Sequence, residues 1–361
     1  MNKSVSIYLD LVRFLAALMV VFAHFNALVF GRELPGFIFN HGREAVAVFF
    51  VLSGFVIRHI QKSREPNFRS FTVARLARLY SVVLLAVVVT VLADFVGNLN
   101  AEYRQSMNFA VFYDPVSVKS VISNLTFTNE LWGSHLILGA NEPFWSLGYE
   151  AMYYVLFAVI TFSSGKLRWF GMTIWLMIVG PFVAMYFPLW YLGCLTYDKL
   201  STSKEYGVDK FFAKYSFYIF LATIFVYFFV RHTIGKHASN MYSSWSLASN
   251  LVNFLYFLLL GLIASVNILA VSHMSNKRLD ILFRYEKYIR WLAGSTFTLY
   301  LMHQPLLVVM KYILPSEVLY MNRGVLIFVL TIFFVFILAE LGERRKSLFF
   351  RFFEKFLPSK I

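Results

Sequence analysis

The chain has 361 residues, 59% of them hydrophobic and 19% aromatic, with only 14% charged and a mean hydropathy of +0.65. Soluble domains carry about 25% charged residues, so this composition excludes an ordinary soluble enzyme and predicts a polytopic membrane protein. The net charge of +14 does not argue for nucleic acid, because the basic residues lie between apolar segments, where membrane topology accounts for them.

Apolar stretches recur about ten times: roughly 7–30, 44–61, 79–97, 144–163, 168–187, 188–198, 212–231, 246–271, 291–313 and 323–342. Most are long enough to span a bilayer, which takes around 20 residues; 188–198 is too short to cross alone. The prediction is an all-α bundle of about ten spans, one membrane domain over 1–361 with no appended soluble domain. Lys3 before the first apolar run resembles a signal peptide. Asp10, Arg13 and His24 suit such a segment poorly, no small-residue cleavage site follows, and a retained helix is expected. The single cysteine, Cys194, excludes an intrachain disulfide.

Basic residues orient the bundle. With the amino terminus inside and the spans alternating, the large clusters fall inside: Lys62 to Arg78, Lys199 to Lys214, Lys277 to Arg290, and Arg344 to Lys360. Only scattered residues such as Arg32, Arg104, Lys119, Lys236 and Arg323 fall outside. Both termini are therefore expected in the cytoplasm. One outside segment, about 98–143, is long and contains Trp132, His135, Asn141, Glu142 and Pro143. Its aromatics and amides suit a sugar, or it is an ordinary capping loop.

The first span carries the main chemical signal. Ionisable groups at membrane depth cost a few kcal/mol or more unless they face a cavity or partner. Arg13 and His24 are separated by roughly three helical turns, about 16 Å of rise, and share one face. They predict a polar track along one helix. His24 is the candidate base, since a neutral imidazole accepts a proton from an alcohol. Its structural alternative is an interhelical hydrogen bond. Arg13 either pairs with Asp10, one turn earlier, or binds an anion or polarises a carbonyl.

Glu150 lies in the first turns of the fourth span, on the outer side, where it is placed to orient His24 as the third member of a triad does. The alternative is a helix-start acid favoured by the dipole. Arg75 and Arg78 share a face and suit phosphates, or simply anchor the inner side. Arg58 sits near the inner end of the second span and is placed to snorkel. Ser53 and Gly54 form a small-residue step that permits close helix approach. His303 lies within a late span, two residues before Pro305. That proline frees a backbone carbonyl which a side chain or cavity must satisfy. No metal-ligand spacing, phosphate-cradling glycine loop or serine-nucleophile elbow is present.

Across nearly its whole length the chain resembles the acyltransferase 3 family of integral-membrane acyltransferases. Arg13 and His24 match its arginine–ten residues–histidine signature. Phe49 to Phe55 is similar to its Phe-Phe-x-x-Ser-Gly-Phe motif, and Arg75 with Arg78 to its Arg-x-x-Arg pair. Trp145, Ser146, Leu147 and Glu150 match Trp-Ser-Leu-x-x-Glu, and Tyr300, Leu301, His303 and Pro305 match Tyr-Leu-x-His-x-Pro. Two positions depart. Ala45-Val46-Ala47 stand where many members have Gly-Val-Asp, and Ser81 stands where many have proline.

The resemblance implies transfer of an acyl group, usually acetyl, from cytoplasmic acyl-coenzyme A to a hydroxyl of a cell-surface glycan or its lipid-linked precursor, in a bacterial inner membrane. By the same resemblance His24 is the base and the Arg75–Arg78 pair meets the coenzyme's phosphates; Arg58 is expected as a further contact to the coenzyme. Asp10, Ser53, Trp145, Ser146, Tyr300 and His303 are expected to support them. No metal cofactor is implied. The rival class is a transporter or flippase of a lipid-linked glycan, which composition fits equally; transporters often show inverted repeats, and none is evident here.

Overall fold

The computed structural model describes residues 2–107, 113–205, 210–235, 247–315 and 320–357. Lys236 and Lys360 of the charge pattern lie outside these, as do the side chains of Lys204 and Lys210. The described residues are helical and contain no strand. The long helices are α1 (Lys3–Val29), α2 (Gly42–Arg64), α3 (Phe68–Gly97), α4 (Phe144–Phe162), α5 (Gly165–Glu205), α6 (Lys210–Val230), α7 (Leu247–Ser272), α8 (Thr296–Ile313), α9 (Tyr320–Leu341) and the shorter α10 (Lys346–Phe356).

Seven helical segments among the described residues are long and apolar enough to cross a membrane. An eighth is the pair Glu286–Ala293 and Thr296–Ile313, bent by 52° at the intervening break. Two differences separate this from the ten expected stretches. The helix α4 is not among the seven, because Glu150 and its tyrosines hold its hydropathy down. The stretches 168–187 and 188–198 run through one element, α5, whose break lies at Gly180. Gly180 has φ 75° and ψ 179°, a region glycine alone enters without strain, and Pro181 follows it.

The chain divides into two compact units, each assembled from separate segments: Met1–Ala16, Arg43–Pro66 and Ala184–Ala293 form the first, Ala17–Gly42, Asn67–Val183 and Gly294–Ile361 the second. In the first unit Ile7, Val271, Leu279, Leu282 and Ile289 form a buried cluster. There α2 and α5 touch backbone to backbone. A Cβ on Gly54 would run into the Trp190 carbonyl oxygen, and one on Gly193 into that of Val51. Trp190 Nε1 donates to Ser53 Oγ at 3.1 Å. The small-residue step is thus a packing contact, as glycine-mediated approach requires.

In the second unit Phe25, Phe30, Leu307 and Ile327 form one buried cluster, and Tyr103, Ala140, Val308 and Tyr312 another. The helix α3 starts where Asn67 Oδ1 accepts from Ser70 N at 2.9 Å, a side-chain cap. It begins earlier than the apolar stretch 79–97, so Arg75 and Arg78 lie inside it.

Two helix carbonyls in this unit accept from the segment before α4. Pro305 removes the N–H that the Leu301 carbonyl would bond, and Asn141 Nδ2 donates to that carbonyl at 2.9 Å. The break at Gly180 frees the Met177 carbonyl in the same way, and it accepts from Trp132 Nε1 at 3.0 Å. The expectation that a side chain must satisfy the carbonyl freed by Pro305 is met by Asn141, which is fully buried.

Candidate active site

The site lies in the second unit and is built on α1, α8 and the turn before α4. His24 on α1 faces His303 on α8, with His24 Nδ1 and His303 Nε2 2.7 Å apart. Their rings lie within 12° of parallel with centroids 5.0 Å apart. His303 is fully buried, and its Nδ1 lies 2.9 Å from the Leu299 carbonyl oxygen.

That carbonyl can only accept, which orders the protons along the chain. His303 Nδ1–H donates to Leu299, so neutral His303 presents a lone pair at Nε2. His24 must then donate from Nδ1. The nitrogen of His24 left for chemistry is Nε2, and Glu142 Oε2 stands 3.3 Å from it. In the neutral ring Nε2 carries a lone pair, so this contact becomes a charge-assisted hydrogen bond only once His24 takes a second proton, when the carboxylate stabilises the imidazolium.

Glu142 sits in a tight turn. Asn141 N donates to the Leu138 carbonyl at 3.0 Å, and Asn141 Nδ2 donates to Thr90 Oγ1 at 2.8 Å as well as to Leu301. Pro143 then leads into α4. Nearby, Ser146 Oγ and Tyr300 Oη are 2.7 Å apart, so two expected supporting residues meet. Trp145 packs edge-on to Tyr149, with ring centroids 5.4 Å apart.

Glu150 does not bond to His24. It accepts from Tyr154 Oη at 2.5 Å, one turn on. The carboxylate on His24 is Glu142, which the sequence offered only as a member of the long outer segment. Its signal was present: an acid next to the proline that starts a span, at the same end of the bundle as His24. Tyr154 also feels the charges of Arg75 and Arg78. Arg75 is buried, its guanidinium over the rings of Phe71 (5.1 Å) and Tyr154 (5.8 Å). Tyr154 thus joins Glu150 to Arg75, its hydroxyl on the carboxylate and its ring under the guanidinium.

Before this turn, His135 Nδ1 lies 3.2 Å from Glu130 Oε2. Burial works against a charge on His135, but the hydrogen bond and charge of Glu130, with Glu142 and Asp114, outweigh it and raise its pKa above the ordinary 6.5. Burial raises the Glu130 carboxyl in turn, and His135 offsets that only in part.

The remaining sequence candidates belong to the first unit. One unbroken helix, α1, carries both Arg13 and His24, but Arg13 falls in the first unit and His24 in the second. Arg13 Nη1 lies 3.9 Å from Asp10 Oδ1, and Asp10 Oδ2 also binds Arg290 Nη1 at 2.8 Å. Arg290 continues to Glu286 at 3.0 Å, and Glu286 to Lys3 at 2.6 Å. The Asp10–Arg13 pair therefore forms as part of a charged chain. Arg58 Nε lies 3.0 Å from Asp198 Oδ1, which Lys62 also approaches, at 2.7 Å.

A helical, multi-pass membrane chain with a paired histidine and carboxylate in its bundle is equipped for proton transfer to and from a bound substrate. The comparison with protein families gives the class. The chain belongs to the acyltransferase 3 family, whose acyltransferase-domain model matches residues 6–340. It is a membrane acyltransferase, and all five motif groups lie within the matched range. No curated protein and no solved structure matches the chain.

Proposed function

We propose that the protein is an O-acyltransferase that moves an acetyl group from cytoplasmic acyl-coenzyme A to a hydroxyl of a cell-surface glycan or its lipid-linked precursor. The charge pattern supports a bundle with both termini inside, and the family resemblance supports a bacterial inner membrane. The observation that carries the reading is the Nε2 edge of His24, set by the proton order through His303 and flanked by Glu142.

In the proposed step, the acceptor hydroxyl approaches this edge. His24 Nε2 takes its proton as the oxygen bonds to the thioester carbonyl carbon. Glu142 stabilises the imidazolium. When the C–S bond breaks, the proton passes to the departing thiolate, and the products are the O-acyl ester and free coenzyme A. Glu150 accepts from Tyr154 and not from His24. We assign it instead to holding Tyr154 against Arg75, with Arg75 and Arg78 at the donor's phosphates. Arg58 and Arg13 each already hold an aspartate. Their proposed roles are a further phosphate contact and steadying of the donor. Ser146 and Tyr300 support the turn that carries Glu142.

The test uses the purified full chain with radiolabelled acetyl-coenzyme A and a panel of glycans and lipid-linked oligosaccharides. Label is expected in an acceptor with the wild type and absent with His24→Ala at equal expression. Full activity in that variant discards the base assignment. Movement of an acceptor across the membrane without labelling favours the flippase reading.

A further inference from the structure

The turn that carries Glu142 has no covalent or helical reason to sit beside His24; it is held there by a few side-chain bonds. Two of them are made by Asn141. Its Nδ2 bridges two elements, donating to Thr90 Oγ1 on α3 at 2.8 Å and to the Leu301 carbonyl on α8 at 2.9 Å. Thr90 is itself fixed, because its hydroxyl donates to the Ala86 carbonyl at 2.7 Å. All three partners are buried, Asn141 completely. The Leu301 carbonyl is free to accept only because Pro305, four residues on, has no N–H. The same helix carries His303, two residues before that proline. One helix therefore offers both the histidine that orients His24 and the carbonyl that anchors the neighbour of Glu142.

We infer that Asn141 is a positioning residue: by latching onto the carbonyl that Pro305 frees, it fixes Glu142 opposite His24. Asn141 reaches no reacting atom. It acts through Glu142, so the inference rests on the proposed role of the His24–Glu142 pair. A latch of this kind suits a buried site. A buried carbonyl left without a donor is costly, so the turn has one favoured seat and the carboxylate is held before substrate arrives. Preorganisation of this sort matters because small displacements of a catalytic group are costly, about 10²-fold for 1 Å.

Pro305 makes a clean test possible. In Asn141→Ala the Leu301 carbonyl loses its donor, and stability and rate are both expected to fall. In Asn141→Ala with Pro305→Ala the new residue 305 supplies an N–H, and the carbonyl is satisfied within the helix. Thermal stability of the full chain should then recover. The maximal rate of acetyl transfer from acetyl-coenzyme A should stay about tenfold or more below wild type, with KM for the donor changed less than about twofold. Amide hydrogen exchange across 136–147 should remain faster than in wild type, a readout independent of any activity. Recovery of rate together with stability in the double variant, or unaltered exchange across the turn, overturns the inference.

A second pair separates this inference from the reading beneath it. Glu142→Gln should lower the rate, and Asn141→Ala combined with Glu142→Gln should lower it no further than about twofold. Losses that multiply show Asn141 acting independently and overturn the positioning role. Full activity of Glu142→Gln rejects the proposed role of the carboxylate itself, and with it the route by which Asn141 acts.

Discussion

His24 Nδ1 and His303 Nε2 lie 2.7 Å apart, and this contact decides which nitrogen of His24 is left for chemistry. The decision is made one step away, by the Leu299 carbonyl that takes the Nδ1 proton of His303. Replacing His303 with alanine removes the acceptor for His24 Nδ1–H, so both tautomers of His24 become accessible. The maximal transfer rate is expected to fall about 10- to 100-fold, less than the ~10²–10⁴ that removal of a base costs, with donor KM little changed. His303→Gln, whose side-chain oxygen accepts, should recover part of the loss. Steady-state kinetics of the two variants check this, and a wild-type rate in His303→Ala would sink the tautomer argument.

The arginine pair predicts a different kinetic signature. Arg78→Gln should raise KM for acetyl-coenzyme A about tenfold, roughly 1.4 kcal/mol of binding, while the maximal rate falls less. Arg75→Lys should be comparably harmful although the charge is kept, because the flat guanidinium lies over Phe71 and Tyr154 and an ammonium cannot reproduce that contact. Donor titrations decide. A fall in maximal rate at unchanged KM argues against phosphate binding.

The Glu130–His135 pair makes stability depend on pH. The folded-state pKa of His135 is raised above 6.5, so folding favours its protonated form. The stabilisation is fully present below about 6.5, the ordinary histidine value, and is lost as pH rises through the raised folded-state value. Thermal unfolding scans between pH 6 and 9 should show falling stability across that window, and Glu130→Gln should flatten the slope. A slope unaffected by Glu130→Gln contradicts the assignment.

Gly54 predicts a packing effect in the first unit. Any Cβ at this position meets the Trp190 carbonyl, so Gly54→Ala forces α2 and α5 apart. The expected cost is about 1–3 kcal/mol, and Gly54→Leu should cost more. Thermal unfolding in detergent measures it. An unshifted midpoint in Gly54→Leu would show that the two helices do not pack so closely.

Much of the bundle was legible in the residues. Long apolar runs mark membrane helices because lipid cannot satisfy an open backbone, and Arg13, His24 and His303 stand out because buried ionisable groups need partners. Even the need for a donor near Pro305 follows from its missing N–H. The helices that pass a length-and-hydropathy test differ from the ten apolar stretches where local features oppose a hydropathy average. Glu150 and the tyrosines depress it in α4, and Gly180, not the stretch boundary near 187, breaks α5.

The sequence by itself determined the membrane class, the family motifs and the identity of the histidines, since each is a matter of residue type and of spacing along one helix. Only the tertiary structure decided the partnerships: Glu142 and not Glu150 on His24, Asn141 on Leu301, and Asp10 shared by Arg13 and Arg290. Helical periodicity states which face a side chain occupies, but not which distant helix or turn arrives there. That is settled by the packing of helices brought together across long stretches of chain.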